Sequence, residues 1–556
     1  MTQFSQTHCS IIPTGTEAGK SRWWRLPPGF YAGGVILLAL ALKLSLLAFD
    51  VFPFNADEAV VGLMAGHILE GRWPVFFYGQ AYMGSMDASL VALGFALFGQ
   101  RVFVIRAVQV LLYLGTVFTT MQLSQRIFGS IEVALIAGLL MAIPTVNITL
   151  YTTVSLGGYG EMLLFGNILL LLALRIAKRN DENWPYLAWG FLAGLGFWAF
   201  GMTLVYILPT AGWIGWLAWR GTTRSLTSKR ILIAITGFIV GAGPWIAWAF
   251  TQGSTLLIQE LSGSAIAGIS TGSTLEVIGL RILSLLVFGS TVSLGLRPPW
   301  ELRWLALPLF PVALVFWLIV ISNVIHQLRQ PGPEKAGRWV LIGVPIILIV
   351  GFMLTPFGAD PSGRYFLPLA VPLALFAADF LWGLKRRMKT VIPLAIMLCV
   401  LGFNLWGTIE SAFRNPPGFT TQFNPITQID HNYDQALIEF LERNDERWGY
   451  TNYWVSYPLA FLSCEQLIFV PRLPYHQDFR YTSRDNRYAP YDHEVTRSGK
   501  VAYITTHHPE LDDYLRSSFS ALELTWEESR IGDYQVFYRL SRVLLPEEIG
   551  LGNTAP

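Results

Sequence analysis

The sequence predicts a polytopic α-helical membrane protein of about 11 transmembrane helices with a small C-terminal α/β extracytoplasmic domain. Three observations carry this expectation. The 556 residues are 53% hydrophobic and only 14% charged, with a mean hydropathy of +0.45, whereas a soluble domain carries about 25% charged residues. Acidic residues are unevenly placed: residues 1 to 409 hold 16 of the 37, and the last 147 residues hold 21. The basic loops, finally, all fall on one side of the predicted bundle.

A helix needs about 20 mostly apolar residues to cross the hydrocarbon. Such stretches lie at 30–50, 102–123, 131–150, 160–177, 185–202, 203–219, 231–250, 304–323, 338–356, 364–383 and 391–409. The polar first 28 residues contain Lys20, Arg22 and Arg25. The apolar stretch after them is too long for a signal-peptide core and lacks a small-residue cleavage site, so it reads as a retained first span. Short loops rich in Lys and Arg stay on the cytoplasmic side. With the N-terminus inside, eleven spans place Arg175, Lys178 and Arg179, then Arg220, Arg224, Lys229 and Arg230, then Lys335 and Arg338, and lastly Lys385, Arg386, Arg387 and Lys389 inside.

Parity and charge therefore agree, and they turn 51–101, 151–160, 251–303, 357–363 and everything after 409 outward. Residues 277–297 are apolar enough to span, but counting them would turn the later basic loops outward. They read as an interfacial or re-entrant helix. The expected domains are a cytoplasmic segment over 1–28, a transmembrane domain over 29–409 and a soluble domain over 410–556. The last opens on a linker (Asn415, Pro416, Pro417, Gly418) and alternates helical patterns (434–445, 456–463, 509–518) with β-rich runs (450–454, 466–471, 500–506, 533–539).

Composition excludes several classes. A net charge of +2 with no Lys/Arg run interleaved with aromatics argues against nucleic acid. Cys9, Cys399 and Cys464 stand alone, without the spacing of a disulfide framework or zinc site.

The most informative stretch runs from Asn55 through Asp57, Glu58, His67, Glu70, Arg72 and Trp73 to Pro74. Its apolar positions recur at helical spacing, so it predicts an amphipathic helix on the outer surface, with Asp57 and Glu58 in the first turn and His67 on the polar face. Asn55 followed by Glu58 also fits a capping box, and first-turn acids favour the helix dipole. Both readings, capping and chemistry, stand at this point.

An Asp-Glu pair just outside the first span, a juxtamembrane helix, and an apolar segment ending in Leu97-Phe98-Gly99 before Arg106 resemble the C-superfamily membrane glycosyltransferases. The resemblance is to the branch holding protein O-mannosyltransferases and lipid A aminoarabinose transferases, covers roughly residues 30–380, and includes the run Phe77-Tyr78-Gly79-Gln80-Ala81-Tyr82-Met83-Gly84-Ser85. It implies an inverting transfer of sugar from a polyprenyl-phosphate donor to a lipid, glycan or protein acceptor of the cell envelope. Asp57 would be the general base; a sugar hydroxyl is a poor nucleophile until a carboxylate accepts its proton.

The resemblance places Glu161, in Gly157-Gly158-Tyr159-Gly160-Glu161, as the second acid, with Glu58 and Asp87 helping to position the acceptor or a metal. It leaves room for a divalent metal cation, held if anywhere by Asp57 and Glu161. Arg364 and Tyr365 would clamp the donor phosphate; an interfacial Arg/Tyr anchor is the plain alternative. The chain departs from many relatives in having Gly84-Ser85-Met86-Asp87 where they carry a Lys-Pro-Pro-like element. The tail run Arg480, Tyr481, Arg484, Arg487, Tyr488, Tyr491 fits either glycan or phosphate binding or a solvated loop.

Two other classes compete. A flippase would show inverted repeats and mid-membrane charges, but no repeat is visible and Glu132, Glu161, Arg364 and Asp379 sit at span ends. A non-catalytic scaffold would tolerate substitution of the first-loop acids. The expected location is a bacterial inner membrane.

Overall fold

The computed structural model describes residues 28–178, 182–219, 227–253, 274–329, 335–355, 360, 362–413 and 418–552. Lys20, Arg22, Arg25, Arg179, Arg220, Arg224, Glu260 and the linker residues Asn415, Pro416 and Pro417 lie outside them.

The membrane part is helical: α1 (Pro28–Ala48), α2 (Ala56–Leu69), a two-stranded hairpin β1 (Phe76–Phe77) and β2 (Gln80–Gly84), α3 (Met86–Phe98), α4 (Val102–Phe128), α5 (Ile131–Ala142), α6 (Val146–Tyr151), α7 (Tyr159–Lys178), α8 (Trp184–Ala199), α9 (Leu204–Trp219), α10 (Ser228–Gly241) and α11 (Gly243–Gln252). Then come α12 (Leu275–Ser293), α13 (Phe310–Arg329), α14 (Lys335–Leu354), α15 (Ala370–Arg387) and α16 (Val391–Phe413). Among the described residues nine helices are long and apolar enough to cross a membrane, or ten if the bent α10–α11 pair counts as one. Leu111, Leu318 and Leu398 stand exposed on such helices, as a lipid solvent allows.

The differences from the expected spans have local causes. The 131–150 stretch breaks between α5 and α6 at Ile143 and Pro144, since proline has no amide to continue the ladder. The 231–250 stretch bends by 67° at Ala242. The expected 185–202 span is a 16-residue helix, followed by a 3₁₀ turn over Gly201–Thr203. Helix α12 is itself long enough to span, yet both its halves meet the same end of the bundle. Arg281 donates to the carbonyl of Met353 at 2.8 Å, and Gly289 packs on Phe366, whose ring lies 4.6 Å from Phe352.

Helices α8 and α10 pack through small residues at four-residue spacing. A Cβ built on Gly190 would meet the Ala234 carbonyl at 2.0 Å, and one on Gly241 would meet the Phe191 carbonyl at 2.1 Å. Such backbone approach is how helices associate when lipid supplies no hydrophobic drive. Gly190→Leu is expected to separate the pair and lower the unfolding temperature in detergent, whereas Gly212→Leu, with open space around it, is expected to leave it unchanged.

The tail comprises α17 (Asp434–Arg443), β3 (Trp448–Thr451), α18 (Tyr453–Leu462), β4 (Ile468–Pro471), α19 (Ala489–Thr496), β5 (Ala502–Thr506), α20 (Pro509–Ala521), β6 (Glu527–Ile531) and β7 (Tyr534–Tyr538). Its sheet runs β4-β3-β5-β7-β6, with β3 parallel to β4 and β5, and β7 antiparallel to β5 and β6. The chain returns to the end of α1: Phe419 N–H donates to the Val51 carbonyl at 2.8 Å, and its ring lies 4.9 Å from Phe52.

Helix α2 is not a surface helix. Eleven of its 14 residues are buried, because α3 covers one side and α18 of the tail another. Gly62 makes the second contact possible, since a Cβ there would meet the Phe461 ring at 2.5 Å.

Candidate active site

The site begins with the cap of α2. Asn55 Oδ1 accepts from the Asp57 amide at 2.8 Å, and the Asn55 amide donates to Glu58 Oε2 at 3.5 Å, so the capping box forms. Glu58 is fully buried and also accepts two bonds from Arg106, from Nε at 2.9 Å and Nη2 at 3.0 Å. Both Glu58 oxygens are thus used inside the scaffold.

Asp57, one residue earlier, is only half-buried. Its Oδ1 accepts from the Tyr453 hydroxyl, while Oδ2 accepts no hydrogen bond among the described residues. Tyr453 comes from the tail, held by Asn452, whose side chain caps α18 at 3.0 Å. Burial first, then the Asp57 charge, holds the Tyr453 phenol well above its ordinary range, so it remains a donor.

Tyr82 of β2 links this carboxylate to the predicted phosphate clamp. It lies within the fields of Arg364, Arg487 and Asp57, and burial pushes its phenol up. Arg364 pairs with Asp360 at 2.7 Å and stands 5.1 Å from the centre of the Tyr365 ring. Its side chain remains 32% exposed, so one carboxylate orients it without sealing it. Tyr82 and Tyr365 also line an apolar cavity of about 270 Å³ walled by Val205, Leu208, Leu348 and Phe352.

Asp87 and Glu161 form a separate buried group. Asp87 accepts from Gln109 at 2.7 Å and Ser155 at 2.5 Å. Burial pushes its carboxyl up to about 6 against those hydrogen bonds, and the Glu58 charge adds to the push. Glu161 is fully buried, and neither of its oxygens has a hydrogen-bond partner among the described residues; its neighbouring charge is Asp87.

Asp87 also makes stability depend on pH. With its folded pKa raised, the unfolded chain releases the proton first, so Asp87 lowers stability as pH climbs from about 4 to 6, by roughly 3 kcal/mol at 1.36 kcal/mol per unit. Asp87→Asn is expected to flatten that part of the unfolding-temperature profile in detergent.

No group of three or more His, Cys, Asp or Glu side chains among the described residues is arranged to hold a metal. Glu161 sits with Asp87 rather than with Asp57, so the suggested Asp57–Glu161 pair does not fit a cation.

Several residues escape sequence reasoning. Lys43, in a stretch read as plain span, is buried, donating to the Thr149 carbonyl (2.9 Å), Thr152 (2.7 Å) and Thr153 (2.6 Å) over the Tyr113 ring. It anchors the segment that carries Ser155. His67 is buried rather than on a polar face: it meets Tyr78 at 2.6 Å and Glu465 of the tail at 3.1 Å. Of the tail's Arg/Tyr run, Arg487 is drawn inward. Its guanidinium lies 5.3 Å from the Tyr453 ring centre, and with the Gln80 amide oriented to accept, it donates at 2.5 and 2.7 Å. Tyr488 stacks on Tyr78 at 4.8 Å and Tyr491 donates to Glu465 at 2.6 Å. The tail thus contacts the residues that follow α1 through Tyr453, Glu465 and Tyr488.

This arrangement defines a polytopic α-helical membrane protein with a small sheet-containing domain, and its fold is similar to that of two solved membrane glycosyltransferases. Residues 85–248 match the dolichyl-phosphate-mannose-protein mannosyltransferase family. ArnT from Cupriavidus metallidurans, solved bound to undecaprenyl phosphate, superposes with a TM-score of 0.58 at 14% identity, covering 92% of this chain and 99% of that one. The Archaeoglobus fulgidus oligosaccharyltransferase AglB, in complex with an inhibitory peptide and a dolichol-phosphate, gives 0.53 at 12% identity, over 85% of this chain and 69% of that one. No curated protein matches the chain by sequence.

Proposed function

We propose that the chain is an inverting glycosyltransferase that moves a sugar from a polyprenyl-phosphate donor to a cell-envelope acceptor, a lipid, glycan or protein, on the non-cytoplasmic face of a bacterial inner membrane. In this reading residues 29–409 form the catalytic membrane domain and 410–556 an extracytoplasmic cover. The observation that carries it is the unengaged Oδ2 of Asp57 together with the partly exposed Arg364, two opposite charges that both act on the buried Tyr82 phenol.

The acceptor hydroxyl gives its proton to Asp57 Oδ2 as its oxygen bonds to the anomeric carbon. The bond from that carbon to the phosphate oxygen breaks on the opposite face, and the lipid phosphate leaves with the electron pair. Arg364, held by Asp360 and backed by Tyr365, offsets the charge that develops there. The 270 Å³ apolar cavity under Tyr82 and Tyr365 suits the first isoprene units of the carrier. The lipid phosphates named with ArnT and AglB favour the same donor class. Asp87, Glu161 and Glu58 act as positioning residues behind Asp57.

The test is transfer by the purified chain in nanodiscs, given polyprenyl-phosphate sugars and envelope acceptors, with release of free polyprenyl phosphate as readout. No release with any donor removes the enzyme reading. Arg364→Gln is expected to raise the donor KM by about 10–100-fold, the worth of a charged hydrogen-bond pair of roughly 1.5–3 kcal/mol. A mere interfacial anchor would leave KM unchanged.

A further inference from the structure

A second cavity lies in the same α9/α14 wall as the apolar cavity of the active site, but toward the far end of the bundle. Its volume is about 1130 Å³, and Ile347 lines both cavities. Between them the helices touch: a Cβ on Gly343 would sit 2.5 Å from Pro209. Pro209 stands inside α9 and Pro345 inside α14, where each removes a backbone N–H from the helix ladder, and the gap lies beyond the Gly343–Pro209 contact.

Three cations from three helices line this gap, Arg126 near the end of α4, Lys178 at the end of α7 and Lys335 at the start of α14, all exposed. No acid lines it among the described residues; Glu334 lies outside them. Arg126 and Lys178 suit helix C-termini. Lys335 does not: a cation at a helix N-terminus adds to the positive end of the dipole, and an anion is what offsets it. The remaining wall is apolar or aromatic, and Trp213 keeps its indole N–H buried without an acceptor among the described residues.

The geometry points to a binding site for one anionic phospholipid, its phosphate among Arg126, Lys178 and Lys335 and its acyl chains in the gap between α9 and α14. Basic pockets between transmembrane helices select such headgroups. The bound lipid buttresses the lower half of a wall whose upper half lines the active-site cavity. The site does not depend on the proposed reaction, and its test uses no sugar donor.

Full-length chain purified in detergent is offered phosphatidylglycerol or phosphatidylcholine, and retained lipid is counted by native mass spectrometry. One phosphatidylglycerol per chain is expected, retained at least five-fold over phosphatidylcholine, with a rise in unfolding temperature. The Arg126→Gln/Lys178→Gln/Lys335→Gln variant is expected to lose that preference while unfolding, in phosphatidylcholine, at the wild-type temperature. Lys335→Gln alone is expected to lose part of it, and decides the question should the triple variant misfold. Equal retention of both lipids by the wild type, or an undiminished preference in the variants, overturns the proposal. Displacement of the phosphatidylglycerol by equimolar undecaprenyl phosphate also overturns it, because the site would then hold the carrier.

Discussion

Asp57→Asn is expected to lower the rate of sugar transfer by roughly 10²–10⁴-fold, the usual contribution of a positioned general base. Asparagine has the same shape, and the cap of α2 rests on the Asp57 backbone amide and the Asn55 side chain, so the fold is preserved. The amide oxygen can still accept from Tyr453, but it cannot take a proton from an acceptor hydroxyl. The loss should therefore fall on kcat, with donor KM within a few-fold of wild type, in single-turnover assays on purified chain. Tyr453→Phe supplies the contrast: it removes the bond to Oδ1 but leaves the carboxylate, and its loss should be far smaller. Equal transfer by Asp57→Asn and wild type would remove Asp57 as the base.

Much of the architecture is legible in the sequence because lipid imposes a simple rule. Long apolar stretches marked α1, α4, α7, α13, α14 and α16, and the tail's short β-rich runs marked β3, β4, β5 and β7. What stayed hidden depends on partners distant in the chain. Helix α2 looks amphipathic because Asp57, Glu58, His67 and Glu70 interrupt its apolar residues, yet three of those four are engaged by other elements: Asp57 by Tyr453, Glu58 by Arg106 and His67 by Glu465. Pairing lets a polar side chain face inward, and a local pattern cannot display a partner 398 residues away. Lys43 passed as span for the same reason, its three acceptors all lying beyond residue 148. The inward turn of Arg487 had only a weak signal, an Arg/Tyr-rich run that suits a solvated loop equally well.

The Glu58–Arg106 pair gives the second large effect, and it separates the two readings of the Asp-Glu motif. Both groups are nearly sealed, with side-chain exposures of 0% and 6%, so removing one strands the other as a buried charge, at a cost of about 3–5 kcal/mol. Glu58→Leu and Arg106→Leu are each expected to unfold the chain at markedly lower temperature in detergent. The double Leu variant should recover much of the loss, since it strands no charge. Its activity should not recover to the same extent: Glu58 also accepts from the Asn55 amide, and Asn55 sets the turn that aims Asp57. A scaffold-only role for Glu58 predicts this split between restored stability and depressed kcat with unchanged acceptor KM. If acceptor KM rose instead in the stable double variant, Glu58 would be touching the acceptor itself, and its carboxylate would have to leave Arg106 during the reaction.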